Sequence, residues 1–593
     1  MKCTNCGFEN EANARSCQSC GAKLPKQIVE QTPESAEGAP ENTEKKSCGS
    51  CKKFAILGIA AAAVILLLVI VISAIANSGH GFIEKECQYE IIQNEDGDLV
   101  VLKDGKLLKD KIDVESPDEV DWDLLGESID GKVALLGVED YAGEDDDEGT
   151  FTLYVIKKNK IVKVAETEDD EAVLSVNGDV VIYNEIDENE DEEEPTATLM
   201  YYTVKNGKTK EIAKSKEDSY VSDYVISPDG KTVVYRVSEF EEEGDGEMEY
   251  TVYLYNGKKS VEIMDDKANL VAVANKGKYI YATVEDEKED DTEIVLNVYD
   301  KKGEKKAKLG SNIGYVAFNA DCTQVIYSVR NEEKGDVTSY MSIKGKEGVK
   351  LAKTVLYLMA NGIDANACYS GNSIIYPVED LYNHVFIGIK YDDKYNATYD
   401  AYLVKKGEDK TVKLVSGMDA NFTLDKSAEY LYYMEADDDD NTLKVLKISK
   451  GENAKDKAKT IADEVVDYVV TSNRKKVFFV DEDDSLCKVN GKKGGKSKTV
   501  ASDVTTGLYI NDKDVVYYGN EDEELYATTG GKGKKITEDI VDLEIIDGKL
   551  YIETEDGEVC YVNKTKKPKK IVTKYEEKAA TPDVPDYDMP DVG

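Results

Sequence analysis

The chain has 593 residues, 41% of them apolar, which allows several domains and a normal core and excludes a wholly disordered protein. Its 120 Asp and Glu against 75 Lys and Arg leave a net charge of -45. A chain this acidic is expected to repel nucleic acid and anionic lipid headgroups, to suit cations or basic partners, and to stay soluble. The charge is uneven: residues 1–53 carry +1, 54–76 carry none, and 77–593 carry -46.

Residues 1–24 hold two C-x-x-C pairs, Cys3 with Cys6 and Cys17 with Cys20. Gly7 and Gly21 follow the second Cys of each pair, where a tight knuckle needs a permissive backbone. Four thiolates in this spacing suit a tetrahedral Zn(II), and with no open coordination position the site reads as structural. The metal would supply most of the folding energy of so short a segment. A pair of redox dithiols is the rival reading. The motif resembles the zinc-ribbon modules at the N-termini of many bacterial membrane proteins. Residues 25–53 read as a flexible cytosolic tether rich in Pro, Glu, Ser and Gln, and its C-x-x-C pair, Cys48 and Cys51, reads as reduced thiols. Metal shared between two chains is the alternative for that pair.

Phe54 to Ala76 is an uncharged, almost wholly apolar run of 23 residues. As a helix it spans roughly 30 Å, the thickness of a bilayer core, so one transmembrane helix is predicted. Lys45, Lys46, Lys52 and Lys53 precede it. The positive-inside rule then places the N-terminus in the cytosol and the rest beyond the membrane. Residues 77–87 are the linker that follows.

From 88 to 574 one phrase recurs, a turn with Asp or Asn and often Gly or Lys, then a β-rich run ending in aromatics. Ten copies include IDGKVALLG at 129, SPDGKTVVYRV at 227, SNRKKVFFV at 472 and IDGKLYIET at 546. A second strand pair around a Gly- and Lys-rich turn follows most copies, as in TVYLYNGKKSVEIM at 251. Asp-Gly and Asn-Gly between alternating apolar runs are strong hairpin signals. Each unit therefore supplies about four short antiparallel strands, the content of one propeller blade. The predicted fold is mainly β, a β-propeller of about seven or eight blades in one ring, or two rings, with sandwiches or an open solenoid as the alternative. The phrase Ser227 to Val237 resembles the repeat of TolB-like propellers and of the propeller domain of prolyl-oligopeptidase-type peptidases. The piece at 98–110 reads as the second half of a blade, closing against the last repeat and bringing Cys87 near Cys560, where a disulfide is one option.

Acidic runs at 144–148, 187–194, 239–247, 285–291 and 436–441 fall between strands of a unit. They read as solvated loops, with Ca(II) capture as the functional alternative. Residues 575–593 read as a disordered acidic tail.

The peptidases would need a G-x-S-x-G elbow and a later His. The sequence has no such elbow, two histidines (His80 and His384) and one Trp (Trp122). It also shows no Walker motif and no dinucleotide fingerprint. The expectation is a non-catalytic, single-pass envelope protein of N-in topology, with no catalytic or cofactor-binding residue. Its exterior domain would bind or scaffold a protein, peptide or glycan, and nucleic acid is not expected as a partner. A transmembrane sensor acting through the zinc ribbon and a hydrolase with an unrecognised carboxylate pair are the alternatives.

Overall fold

The computed structural model describes residues 89–575, apart from connecting stretches, chiefly 141–149, 188–195, 241–247, 360–367 and 449–456. Cys3, Cys6, Cys17 and Cys20, the pair Cys48 and Cys51, Cys87, the tether, the apolar run 54–76, the linker and the tail lie outside the described residues. Among the described residues no helix is long and apolar enough to cross a membrane.

The alternating Val, Ile and Tyr runs form short antiparallel strands joined in sequence, and the one helical element is the single turn Asn275–Gly277 among the described residues. Seven meanders of four strands cover 120–167, 173–214, 219–265, 268–311, 465–501, 509–537 and 540–573. A meander of three covers 89–112. A six-stranded sheet holds the meander 313–352 and the hairpin Cys368–Ser370 with Ser373–Ile375. A seven-stranded sheet over 356–462 holds two meanders that share the strand Thr411–Leu424. The described residues thus hold eleven repeating units, numbered here 1 to 11 in chain order. The sequence holds ten copies of the phrase and a partial unit at 98–110, expected in one ring of about seven or eight blades or in two rings.

The recurring phrase works as a side-chain-locked turn at the end of each first strand. Ser128 Oγ accepts Val133 N (3.0 Å), Ser175 Oγ accepts Val180 N (3.0 Å) and Ser227 Oγ accepts Thr232 N (3.0 Å). Thr471 and Asp425 play the same part toward Lys476 N and Tyr430 N. Such short polar side chains compete well for backbone N–H groups and so define the turn. The turn passes through a left-handed residue, which is Gly178 or Gly230 in some units but Cys322, Ala428 or Arg474 in others.

Each sheet buries both faces against its neighbours. Leu135 and Val155 of unit 2 pack on Leu174 and Tyr183 of unit 3, and Phe478 and Val480 of unit 9 on Val516 and Tyr518 of unit 10. Every such fully buried side chain contributes about 1.5–3 kcal/mol before entropy is counted. The series of interfaces returns to its start. Leu99 and Val101 of unit 1 pack on Leu136 and Val138 of unit 2, while Ile92 and Val100 pack on Val559 and Val572 of unit 11. The chain leaving unit 11 then pairs with unit 1: Lys574 bridges Asn94, and Tyr575 N donates to Gln93 O (3.0 Å). These contacts lie on the side of Tyr89–Gln93 where the three-stranded unit lacks its first strand. The arrangement is of the β-propeller type. The hairpin ending at Ile375 runs parallel to the first strand of unit 6, and its other strand lies against Val120–Glu127 of unit 2. It therefore crosses the interior.

A lysine-rich face and its cavity

In a meander, successive hairpins alternate between the two ends of the sheet. Turns joining strands one to two and three to four share one end. Turns joining two to three, and the links between units, share the other. Cross-unit bonds show that equivalent turns sit side by side. Ile129 N donates to Val176 O (2.7 Å) and Asp512 N to Gly548 O (3.0 Å) between first turns. Lys534 Nζ reaches Thr565 O (2.7 Å) between third turns, and Asn441 Nδ2 reaches Glu482 Oε1 (3.1 Å) between second turns.

Charge sorts by connection along the sequence. The eleven connections from second to third strand, such as 141–149, 188–195, 436–442 and 520–524, hold 39 acidic residues and two lysines. The eleven connections from third to fourth strand, such as 256–259, 490–497 and 563–568, hold 21 lysines and eight acidic residues. In unit 1, which lacks its own first strand, Tyr89–Gln93 occupies the second position. The second connections are therefore acidic in sequence and the third connections lysine-rich.

The lysine face holds a cavity of about 270 Å³ between units 8 and 9. Tyr430, Lys447, Lys457, Lys459, Arg474 and Lys492 line it. The floor is held rigidly. Arg474, in the first turn of unit 9, stacks its guanidinium 3.4 Å from the centre of the Tyr430 ring. Its Nε pairs with Asp425 Oδ2 at 3.2 Å, the two side chains 18% and 3% exposed. Burial pushes the Tyr432 hydroxyl up to about 12, so it stays protonated and donates to Gly491 O (2.8 Å). Asp425 is thus matched by Arg474, and the four lysines of the lining are exposed. Among the described residues no carboxylate lines the cavity. Such a site can take a phosphate, sulfate or carboxylate group, with the lysines as point charges and the ring as one wall. On the other face a cavity of about 560 Å³ between units 10 and 11 has the opposite character, with Glu521, Glu523 and Asp542 in its lining.

The sequence-predicted residues fare unevenly. The zinc ligands lie outside the described residues. Among the described residues no group of His, Cys, Asp or Glu is placed to hold a metal ion. Cys560 is a buried free thiol. His384 is half-buried, its carbonyl accepting Val404 N (3.4 Å), and Trp122 sits on the first strand of unit 2, packed toward unit 1. The cavity residues were missed. Their signal was the alternation of acidic and lysine-rich turns along the chain.

No family model and no curated protein matches the sequence. Solved structures do. A prolyl endopeptidase is similar at 13% identity and a TM-score of 0.33, over 64% of this chain and 56% of that one, so the match spans about half of the peptidase. An oligogalacturonate lyase from Vibrio parahaemolyticus is similar at 11% identity and a TM-score of 0.32, over 62% of this chain and 98% of that one. The β-propeller domain of the trilobed protease from Pyrococcus furiosus is similar at 16% identity and a TM-score of 0.22, over 55% and 97%. The likeness is one of fold. It corrects the expectation of a non-catalytic binding or scaffold protein: the chains that share this repeat architecture include a peptidase and a lyase.

Proposed function

We propose that the β domain recognises an anionic group, phosphate, sulfate or carboxylate, through its lysine face, with the cavity between units 8 and 9 as the seat. The observation that supports this most is the convergence of Lys447, Lys457, Lys459, Lys492 and Arg474 on one cavity in a chain of net charge -45. Cations so placed repel one another, and an anion relieves that repulsion. The four lysines remain partly hydrated, so each contributes about 1 kcal/mol to binding an ion about 4 Å away.

Titration of the full chain with inorganic phosphate, sulfate and galacturonate, followed by calorimetry, tests the reading. At least one of them should bind, and Lys447→Glu with Lys492→Glu should weaken that binding more than tenfold. Binding that these two reversals leave unchanged would refute the assignment of the seat.

A further inference from the structure

We infer that the open edge of Tyr89–Gln93 is the docking site of the residues just past Tyr575, with 576–579 laid antiparallel along it as the first strand that unit 1 lacks. Those residues follow Tyr575 directly and lie outside the described ones. Three observations on described residues carry the inference.

The first is an edge with a fixed register. Asn94 N donates to Asp98 O (2.9 Å), so Asn94 turns its backbone toward the next strand of unit 1 and Gln93 turns its own away. Alternation points Ile91 the same way as Gln93, to a side on which the described residues place no strand. The chain leaving unit 11 arrives on that side, where Lys574 bridges Asn94 antiparallel and Tyr575 N donates to Gln93 O (3.0 Å). Carried forward, this register sets Glu577 against Ile91 and Lys578 against Glu90. Its direction is that of a first strand, as Ala268–Val273 runs against Ile280–Lys288.

The second is a repeated contact with its acceptor already in place. Asp467 Oδ2 in the first strand of unit 9 accepts Leu508 N (2.6 Å), at the head of the first strand of unit 10. Asp223 of unit 4 does the same for Leu270 N in the first strand of unit 5. Asp542 of unit 11 matches Asp467: each follows a bulge in its first strand and accepts the next N–H, Leu543 N or Tyr468 N, at 2.7 Å. Unit 11 packs on unit 1, whose first strand is the missing one. The third is charge. Glu90 Oε2 is buried with no hydrogen-bond partner among the described residues. Burial and the nearby carboxylates of Glu544, Glu553 and Asp542 push its carboxyl up, against the pull of Lys574. Lys578, the one lysine after Lys574, is the residue the register sets across from it. Pro582 then marks the limit of the strand, since it brings no N–H.

The test is disulfide trapping in the full chain, read by peptide mass spectrometry so that the native cysteines are told apart. Residues directly opposite in a pair of this kind lie about 4.5 Å apart at Cα, within disulfide reach. Glu90→Cys with Lys578→Cys should cross-link several-fold faster than Glu90→Cys with Glu577→Cys or with Asp586→Cys. If all three pairs react alike, or none reacts while far-UV circular dichroism is unchanged, the inference fails. Hydrogen exchange gives a second readout without cysteine substitutions. Ending the chain at Tyr575 should speed exchange at the Ile91 amide about tenfold or more and leave Ile92, which faces the next strand, unaffected. Ending it at Pro582 should change neither. Glu577→Pro, which removes the N–H set against Ile91 O, should act like the shorter chain. An Ile91 amide equally protected with and without residues 576–593 would mean that another strand, such as one from a second copy, holds the edge, and would overturn the inference.

Discussion

Replacing Arg474 with Met removes the charge that faces Asp425 while keeping a side chain of similar length against Tyr430. Breaking a buried ion pair by deleting one partner typically costs about 3–5 kcal/mol. Here the penalty is reduced, because Asp425 keeps donors from Ser427 Oγ (2.5 Å), Glu429 N (2.9 Å) and Tyr430 N (2.8 Å). A residual cost of about 2 kcal/mol is expected, including about 0.5–1 kcal/mol of lost stacking on the ring. Asp425→Asn should cost about 1–2 kcal/mol, since the amide still accepts backbone bonds but leaves the guanidinium unpaired. The double variant should cost less than the sum by about 1 kcal/mol or more, the signature of direct coupling. Urea unfolding of the full chain followed by far-UV circular dichroism measures all four corners. A coupling below about 0.3 kcal/mol would show that Arg474 and Asp425 stabilise the cavity floor independently, and the account of a rigid floor would be wrong.

Three further outcomes follow from the same structure. Gly178→Ala should cost about 2 kcal/mol, because a Cβ there meets Ser128 Cβ at 2.8 Å and the backbone has φ +73; Gly335→Ala, at φ +69 with nothing within 4 Å, should cost about 1 kcal/mol, so the difference in unfolding midpoints isolates the steric part. Asp400 is 1% exposed; burial pushes its carboxyl up, yet the ammonium groups of Lys390 and Lys413 and the Tyr402 hydroxyl hold it below the usual carboxylate range. A depressed folded value means stability that is present above the unfolded value of about 4 and lost as pH falls below it, so Asp400→Asn should flatten the acid limb of the stability profile below about pH 4; an unchanged limb would refute the assignment. Cys322, Cys487 and Cys560 are buried and burial raises all three thiols, so none should react with a maleimide reagent until the domain is unfolded; rapid labelling of Cys322 in native protein, where it is 1% exposed, would contradict the packing of unit 6.

Much of the architecture was legible in the sequence. Alternating Val, Ile and Tyr with Asp-Gly and Asn-Gly turns specifies antiparallel hairpins locally, and the recurrence of SPDGK-like turns specifies that they repeat. The half unit at 98–110 was readable as an incomplete blade because its strand and turn lacked an upstream partner phrase, and it does pack between units 2 and 11. The fusion of units 7 and 8 through Thr411–Leu424 was not readable, since a strand that changes partners midway carries the same alternation as any other. Nor was the hairpin that crosses the interior, whose Ile374 and Ile375 pair with Ala317 and Phe318 far back in the chain.

The functional face shows the same division. Sequence alone determined which turns are acidic and which are lysine-rich, because charge is a property of each residue. Which end of the molecule each turn occupies depends on strand parity, and parity needs the full count of strands in every unit. The cavity needed more still. Asp425, Tyr430, Lys447, Arg474 and Lys492 come from two units and from turns that only sheet-on-sheet packing brings together. Local preferences act over a few residues and leave a record in the sequence, whereas contacts between sheets arise from burying apolar faces that many pairings would satisfy equally well, so the tertiary structure alone decided that these cations meet.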